Sequence, residues 1–576
     1  MSAPAAEVDR VWLRHYPPEV PPTVDVPDEM LSEMVAASVR AWPNRSALVY
    51  YGRRWSYRQL WEESERFAAA LRQNGIGPGD RVALYLPNCP LYPVALLATL
   101  RLGAIVVQVS PLYLGVDLSR LLRDAGPKAL VTLEILYPNV AKIRADYPVP
   151  VVFLGRLREF YPWYLRPFVN RVLQRQHLPT DLPVEPWIQP YASARRTQGS
   201  VDLFRADPAT TVAVYQYTGG TTGVPKAAML SHRNLVANVR QSIAWNTTRR
   251  PGEDVILASI PFFHIYGLTV ALLMGLADGA TIVIQTRPEI REALRLIDRY
   301  QPTEFPGVPA LYNAFANQPD VGRHRIHSIR YCLSGSAPLP LEVKKKFEAL
   351  TGGKLIEGYG LSEASPVTHA NPPTGEQRPG SIGLPLPSTD HRVVDLETGG
   401  QALAPGEVGE LEVRGPQVMV GYFGHPEETA AVLRGGWLRT GDVARLDADG
   451  YAYIVDRKKD MINVGGMKVW PREVEEILFQ HPAVQDVAVV GMADPERGEA
   501  VKAFVVAKPG THPSADELIT FVRERIAHYK APRAVEFRDA LPRSGVQKVL
   551  RRVLRGEDAV PVAATGSPAP ATAPAR

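Results

Sequence analysis

Residues 217–226 read YTGGTTGVPK and directly follow an apolar, strand-like run, TVAVYQ, at 211–216. Three glycines let the backbone turn tightly and approach an anion, and three threonine hydroxyls and the backbone N–H groups supply hydrogen-bond donors. Lys226 adds a positive charge. The loop is not a Walker A motif, because a lysine followed by serine or threonine is missing. The stretch predicts a phosphate-cradling turn after a buried strand.

The sequence on both sides of this loop has the pattern of an α/β fold. An apolar helix candidate ends near Gly103 and leads into the strand AIVVQV at 104–109, and LTVALLMGL at 268–276 precedes ATIVIQ at 280–285 in the same way. Helices followed by β-branched strands predict a buried parallel sheet. Because Pro93, Arg101 and Gln108 interrupt the apolar run at 91–109, we do not expect it to span a membrane.

Changes in composition divide the chain into segments. A helix candidate at 471–478, two strands at 485–492 and 501–507, and a further helix near 515–526 predict a small α+β domain. We predict a large multi-subdomain α/β domain with parallel sheets, followed by this small domain. The predicted boundaries are an N-terminal extension (1–29), a large domain (30–458) with a β-rich subdomain at about 388–456, the small domain (459–555) and a disordered Ala/Pro-rich tail (556–576).

Composition excludes several classes of protein. Of 576 residues, 45% are hydrophobic and only Cys89 and Cys332 are cysteines, so a disulfide scaffold is excluded and a reduced setting is expected. A net charge of +5 is too small for this length to indicate nucleic-acid binding. The first twenty residues lack the apolar stretch of a signal peptide, so we expect a cytoplasmic protein. His324 and His327 have no cysteine partners, and a zinc site is not expected.

Further motifs follow in a fixed order: PFFHIYG (261–267), GVPALY (307–312), SGSAPL (334–339), EGYGLSEASP (357–366), GWLRTGDV (436–443), VDRKKDMINVGGMKVWPREVE (455–475) and PRSGVQKVLRR (542–552). Together with the first loop they resemble the adenylate-forming superfamily, and the forms YTGGTTG and VDRKKDMI resemble its bacterial long-chain fatty acyl-CoA ligases. The resemblance covers roughly residues 30 to 552. It implies that the small domain is mobile and that the cofactors are ATP, Mg²⁺ and CoA as co-substrate.

The resemblance also implies roles for individual residues. Tyr359 resembles the aromatic residue that stacks on adenine, Asp442 the carboxylate that binds the ribose hydroxyls, and Arg457 its partner. Glu363, with Thr218, resembles the magnesium-associated group, and a carboxylate suits such a hard cation. The residues implied to bind ATP or CoA are Thr218, Gly219, Gly220, Thr221, Thr222, Gly223, Lys226, Gly335, Ser336, Gly358, Tyr359, Gly360, Ser362, Asp442, Arg457, Gly465, Gly466 and Lys548.

The implied catalytic residues are Lys548, Thr218, Glu363 and His264. The family places Lys548 against the substrate carboxylate and the α-phosphate, which repel each other as anions. A unit charge about 4 Å from each contributes on the order of 4 kcal/mol at an effective dielectric constant of ~20. Lys459 falls at the family's hinge, where rotation would exchange Lys548 for the loop of Gly465 and Gly466, which resembles the lining of the pantetheine tunnel.

The motif around His264 indicates which class of carboxylic acid is the substrate. Relatives that activate amino acids carry an aspartate there, and a histidine among aromatic residues offers a substrate ammonium no counterion. We therefore expect AMP-forming activation of a fatty acid, of long chain, to its CoA thioester. The alternatives are an aryl or medium-chain acid–CoA ligase, a fatty acyl-AMP ligase, and a non-catalytic AMP or fatty-acid sensor.

Between Arg156 and Arg175, five arginines alternate with aromatic residues, RLREFYPWYLRPFVNRVLQR. This composition suits a membrane interface, although Pro162 and Pro167 interrupt any long helix and a loop packed on the main domain is the alternative. Peripheral contact with the inner face of the membrane is therefore a hypothesis. We expect fatty acid and CoA as partners and no nucleic acid, and the sequence leaves a homodimer open.

Overall fold

The computed structural model describes residues 9–218, 225–495, 497–543 and 549–556. The strands, in chain order, are β1 (Ser46–Tyr50), β2 (Arg53–Ser56), β3 (Arg81–Tyr85), β4 (Ile105–Val109), β5 (Ala129–Leu133), β6 (Val151–Gly155), β7 (Ile188–Pro190), β8 (Val212–Thr218), β9 (Lys226–Ser231), β10 (Val255–Ala258), β11 (Thr281–Ile284), β12 (Tyr331–Ser334), β13 (Lys354–Gly360), β14 (Val367–Ala370), β15 (Leu384–Pro385), β16 (Asp390–Val394), β17 (Gly409–Arg414), β18 (Gly421–Tyr422), β19 (Leu433–Arg434), β20 (Trp437–Leu446), β21 (Ala452–Arg457), β22 (Ile462–Val464), β23 (Met467–Val469), β24 (Val484–Asp494), β25 (Gly498–Ala507) and β26 (Ala534–Phe537).

The α-helices are α1 (Leu31–Ala41), α2 (Tyr57–Gln73), α3 (Leu91–Arg101), α4 (Gly115–Ala125), α5 (Tyr137–Lys142), α6 (Arg166–Arg175), α7 (Tyr191–Ala194), α8 (His232–Trp245), α9 (Met274–Ala277), α10 (Ile290–Tyr300), α11 (Pro309–Ala316), α12 (Leu341–Thr351), α13 (Pro426–Val432), α14 (Pro471–Phe479), α15 (Ala515–Arg523) and α16 (Arg551–Leu554). Short 3-10 helices cover Val11–His15, Leu157–Phe160, Val321–Arg323, Ile326–Ser328, Ser362–Ala364, Lys458–Asp460 and His528–Lys530, and a π-helix covers Gly267–Leu273.

The described residues form two compact units. The large unit comprises 12–390 and 414–436, and the small unit comprises 9–11, 391–413 and 437–556. The β-rich residues 391–413 and 437–456 thus belong to the same compact unit as the C-terminal residues. The domain boundary at Lys459 stays a prediction.

An eight-stranded sheet forms the framework of the large unit, in the order β18-β9-β8-β4-β3-β5-β6-β7. From β8 to β7 all neighbours are parallel, whereas β9 pairs antiparallel with both β8 and β18. Strands β4 and β5 are buried along their whole length, as expected for strands covered by helices on both faces. The predicted buried parallel sheet is confirmed.

The turn at Gly103 shows how the sequence encodes this sheet. Gly103 has φ +68°, and a Cβ atom there would lie 2.4 Å from the ring of Phe204. Only glycine fits both the left-handed backbone and this space. The run at 91–109 is therefore α3, the turn and β4, as predicted. In the part of the chain that the structure describes, no helix is both long and apolar enough to cross a membrane.

Two four-stranded sheets complete the large unit, β10-β11-β1-β2 and β12-β13-β14-β15. A buried cluster that includes Phe305, Tyr312, Phe315 and Phe347 packs beside them. The predicted N-terminal extension also packs on this unit from Trp12 onward. Trp12 is buried, and the backbone N–H of Val24 donates to Ser388 Oγ at 2.9 Å.

The small unit contains two sheets. One is five-stranded, with the order β16-β17-β20-β19 and β21 on β20, and the other has the order β23-β22-β25-β24 with β26 on β25. Helices α14 and α15 pack on the second sheet through a valine- and leucine-rich core. The predicted helices and strands of the α+β segment are confirmed, with α15 ending at Arg523, three residues earlier than predicted.

Candidate active site

The phosphate-cradling loop connects β8 to β9. Thr218 ends β8 and lies directly opposite Lys226, the first residue of β9. The side chain of Lys226 is only 9% exposed, and its Nζ lies 3.2 Å from Glu428 Oε1 on α13. Pairing across the hairpin thus fixes both ends of the loop and holds a largely buried ammonium at one of them. Five predicted loop residues lie outside the described residues: Gly219, Gly220, Thr221, Thr222 and Gly223.

Glu363 lies on the short 3-10 helix that follows β13, together with Ser362. The hydroxyl of Tyr422 donates to Glu363 Oε1 at 2.8 Å, and the backbone N–H of Met419 donates to the Glu363 carbonyl at 2.8 Å. Burial, followed by the charge of Glu363, raises the pKa of Tyr422, so this hydroxyl remains a donor. Strand β18, which carries Tyr422, pairs with β9. Tyr422, which bonds to the carboxylate, and Lys226 therefore lie on neighbouring strands.

Tyr422 and Glu428 are site residues that sequence reasoning missed. The Nζ of Lys226 lies 5.8 Å from the ring centroid of Tyr422 and also pairs with Glu428. Both residues lie about two hundred positions after Lys226, in the stretch GYFGHPEE. An isolated tyrosine and a glutamate in the first turn of a helix give no local signal of a role in a site.

Strand β13 carries Gly358, Tyr359 and Gly360. Tyr359 is half-buried, and its ring lies 5.9 Å from that of His369 at 65°. A Cβ atom on Gly360 would lie 2.1 Å from the carbonyl oxygen of Pro366, and one on Gly358 would lie 2.8 Å from Leu333 Cδ1. The backbone contact therefore requires glycine at 360, whereas a side chain at 358 would displace the end of the Leu333 side chain. Packing within the protein thus accounts for Gly360 without reference to a ligand.

Tyr266 joins three of the sequence motifs. Its hydroxyl donates to the carbonyl oxygens of Gly307 and Leu333. A Cβ atom on Gly335 would lie 3.4 Å from the Tyr266 ring, and Ser336 follows with φ +70°. The predicted nucleotide-side residues Gly335 and Ser336 are thus held at the end of β12 by the aromatic residue of PFFHIYG.

His264 is half-buried just before the π-helix, and its Nδ1 accepts the backbone N–H of Tyr266 at 3.3 Å. A π-helix often marks a functional site, because the wider turn displaces side chains from their usual positions. An apolar pocket borders this π-helix. Its lining residues come from α8, the π-helix, α9, β12, β14 and the residue after β15: Ser242, Trp245, Val270, Met274, Tyr331, Leu333, Val367, Ala370 and Leu386.

In the small unit, Asp442 and Arg457 are directly opposite each other on β20 and β21. Asp442 is buried, and Arg457 Nε lies 3.4 Å from its Oδ1. The pairing agrees with the partnership that the resemblance implied. Arg439 bonds to Glu410 on β17 and is part of the sheet's own ion pairing.

The predicted hinge residue Lys459 lies in the middle of the short helix Lys458–Asp460, with its side chain exposed. Gly465 and Gly466 form the two-residue turn between β22 and β23, with φ values of +60° and +85°. Two consecutive positive φ angles match a type I′ turn, for which glycine is preferred. Lys548, the predicted catalytic lysine, lies outside the described residues.

Among the described residues, no group of three or more His, Cys, Asp or Glu side chains is placed to hold a metal ion. Glu363, on the 3-10 helix that follows β13, is the carboxylate that the resemblance assigned to magnesium. This donor set fits Mg²⁺, which keeps several waters and is commonly held by one or two carboxylates and the phosphates of a nucleotide.

Comparison with known proteins identifies the family. Residues 35–423 match the model of the AMP-binding enzymes, and residues 473–548 match the AMP-binding enzyme C-terminal domain. The chain belongs to the AMP-binding enzyme family. The resemblance to the adenylate-forming superfamily, which the ordered motifs carried, is therefore confirmed.

Two relatives and one solved structure span nearly the whole chain. A long-chain-fatty-acid–CoA ligase of Bacillus subtilis (strain 168) is 43% identical over 549 residues, which are 95% of this chain and 98% of that protein. A protein of the same name from Escherichia coli O157:H7 is 39% identical over 562 residues, with the same coverage. ATP-bound MatB from Rhodopseudomonas palustris superposes with a TM-score of 0.80 at 29% identity, covering 91% of this chain and 98% of that one.

The contact between Tyr422 and Glu363 can be tested directly. A hydrogen bond to a charged group contributes about 1.5–3 kcal/mol, and the lower value corresponds to roughly tenfold in affinity. We therefore expect Tyr422→Phe to weaken ATP binding about tenfold in buffer containing Mg²⁺, measured by titration calorimetry. Tyr147→Phe is the matched control, since that hydroxyl donates only to the Pro127 carbonyl at 3.3 Å. Equal affinity in the two variants would show that Tyr422 does not position Glu363 for the nucleotide.

Proposed function

We propose that this protein converts a long-chain fatty acid into its acyl-CoA thioester in two steps. The acid first attacks the α-phosphorus of ATP to give an acyl-adenylate and pyrophosphate, and the thiol of CoA then displaces AMP. The observation that carries the proposal is the similarity, through both family domains, to two long-chain-fatty-acid–CoA ligases. The alternatives, an aryl or medium-chain ligase, an acyl-AMP ligase or a sensor, are not favoured.

The residues around the small cavity beside the π-helix favour an apolar group over a charged one. Its lining includes Trp245, Val270 and Met274 and contains no carboxylate. A substrate ammonium in this pocket would remain unpaired, which is costly, whereas a hydrocarbon chain gains from leaving water.

In the first step, side chains of the protein pair with the charged groups of the nucleotide. Lys226 is paired with Glu428, and a triphosphate would replace that exposed carboxylate as the partner of the ammonium. Asp442 accepts hydrogen bonds from the ribose hydroxyls, and Arg457 orients the Asp442 carboxylate. Glu363 and Thr218 would hold Mg²⁺, which when bound neutralises phosphate charge. Lys548 brings the carboxylate and the α-phosphate together.

The second step requires a different group beside the acyl-adenylate. Rotation about Lys459 would withdraw Lys548 and present the turn of Gly465 and Gly466. Neither glycine has another residue within 4 Å of the position of a Cβ atom. A bare backbone surface of this kind lets a narrow pantetheine arm lie close to the chain.

The overall reaction is tested by measuring pyrophosphate, AMP and thioester with palmitate, ATP and Mg²⁺, with and without CoA. We expect continuous pyrophosphate release and palmitoyl-CoA only when CoA is present, since without CoA the bound adenylate blocks further turnover. Sustained release of free palmitoyl-AMP without CoA would identify an acyl-AMP ligase. The absence of any pyrophosphate would identify a sensor, and a higher kcat/KM for benzoate or octanoate would exclude long-chain specificity.

The role of Lys548 is tested by separating the half-reactions. A contribution of about 4 kcal/mol to the first step corresponds to roughly a thousandfold in rate. We expect Lys548→Ala to lose adenylation by about this factor and to retain thioester formation from supplied palmitoyl-AMP. Arg543→Ala, which removes another cation of the same run, one paired with Asp486 at 2.6 Å, should leave both steps unchanged. Equal loss of both steps in Lys548→Ala would reject the assignment.

We also propose that the segment between Arg156 and Arg175 contacts a membrane surface. Phe160 and Tyr161 are buried and fix the segment to the large unit, whereas Trp163 is 78% exposed and Phe168 is 53% exposed. On α6, Phe168, Arg171 and Arg175 are spaced three and seven residues apart, and all three are exposed. One helical face thus presents an aromatic ring and two cations, a combination that suits anionic lipid headgroups.

A second group of exposed apolar side chains supports the same surface. Leu112, Leu114 and Val116 follow β4 and are 64%, 56% and 70% exposed. Strands β4 and β6 are parallel members of one sheet, so the loops that follow them leave from the same edge. Both groups therefore lie along the edge where β8 leads into the nucleotide loop.

Flotation with liposomes tests the membrane contact. We expect the protein to float with vesicles that contain anionic phospholipid, and Trp163→Ala/Phe168→Ala to reduce the bound fraction at least fivefold. Val184→Ala is the control, because Val184 is 99% exposed in another loop. The proposal fails if the double variant floats like the parent, and the charge argument fails if neutral vesicles bind equally well.

A further inference from the structure

A buried ion-pair cluster surrounds the predicted hinge within the small unit. Arg551 on α16 donates to both oxygens of Glu475 at 2.8 Å and to Asp460 Oδ2 at 3.1 Å. Its Nη1 also lies 3.7 Å from Asp456 Oδ1. Arg555 donates to the other oxygen of Asp460 at 2.7 Å. The cluster thus contains three carboxylates and two guanidinium groups, and its two aspartates flank residues 457–459.

The contacts of this cluster fall into two classes. Asp460, Glu475, Arg551 and Arg555 all follow Lys459 in sequence, so their mutual bonds lie on one side of the hinge. Asp456 precedes Lys459, and its contacts with Arg551 and with the backbone N–H of Arg472, at 2.7 Å, cross the hinge. The guanidinium of Arg472 also crosses the hinge, because it donates to the Ile454 carbonyl at 2.8 Å.

The ionised carboxylate of Asp456 depends on these donors for its stability. Its side chain is only 3% exposed, and burial raises its pKa to about 6 against the opposing charge of Arg551. At neutral pH the carboxylate is therefore ionised in a poorly solvated place. A buried charge that loses its partners is costly, so any motion that separates Asp456 from α14 and α16 must overcome that cost.

We propose that Asp456 is a positioning residue that holds the C-terminal domain in one of its two poses. The inference rests on the proposed two-step function and on the hinge at Lys459. Rotation there would break the contacts of Asp456 and of Ile454, while the bonds of Asp460 and Glu475 to Arg551 would move with the domain. The contacts of Asp456 therefore stabilise one pose only, whereas those of Asp460 stabilise both poses equally.

The two half-reactions report on the two poses, since each is assigned to one of them. Single-turnover adenylation is measured with palmitate and ATP, and thioester formation with supplied palmitoyl-AMP and CoA. We expect Asp456→Asn, which keeps the shape and removes the charge, to slow one half-reaction at least fivefold without slowing the other. Urea unfolding of each variant checks that the fold is retained.

Asp460→Asn is the matched control, because it removes a carboxylate from the same cluster on one side of the hinge only. It should change both half-reactions by the same factor. Arg472→Met provides a second variant, as it removes the bond to Ile454, and should change the ratio of the two rates in the same direction as Asp456→Asn. Parallel changes in both half-reactions for Asp456→Asn and Arg472→Met, or no change in either, would overturn the proposal. If the parent protein itself fails to form palmitoyl-AMP, the proposed function fails instead.

Discussion

The pairing of β9 with a strand on each side is the constraint on which the nucleotide side of the site depends. Its pairing with β8 places Thr218 opposite Lys226 and fixes the ends of the loop. Its pairing with β18 places Tyr422 beside Lys226 and within hydrogen-bond distance of Glu363. One antiparallel strand, next to the edge strand β18, therefore positions both the cation and the tyrosine that bonds to the carboxylate. Glu428 keeps the largely buried ammonium paired, so that binding a triphosphate exchanges one anion for another rather than creating a new buried charge.

Local sequence was sufficient for features that local chemistry determines. The turn at Gly103 and the start of α14 at Pro471 follow from backbone geometry at single positions. The buried strands followed from their β-branched composition. The contact of Tyr422 with Glu363 could not be predicted in this way, because it joins side chains 59 positions apart and depends on the pairing of β18 with β9, and no periodicity encodes such a contact.

The motif glycines show a different limit of sequence reasoning. A glycine in a nucleotide motif suggests room for a ligand, yet at Gly360 the space is taken by the Pro366 carbonyl and at Gly358 by Leu333. The packing of β13 against its neighbours therefore constrains these motif glycines, in addition to any requirement of nucleotide binding. Composition likewise indicated a β-rich segment but not the compact unit to which its strands belong. That unit depends on contacts between strands that are far apart in sequence.

Strand β21 carries the residues of the two proposed roles, ribose binding and domain positioning, next to each other. Side chains alternate between the faces of a strand, so Asp456 and Arg457 point in opposite directions. Arg457 faces Asp442, the carboxylate assigned to the ribose, and Asp456 faces the backbone N–H of Arg472 on α14 and the guanidinium of Arg551 on α16. Under the two proposals, a nucleotide held at Asp442 and a domain rotation that separates Asp456 from its donors would act on adjacent residues of one strand.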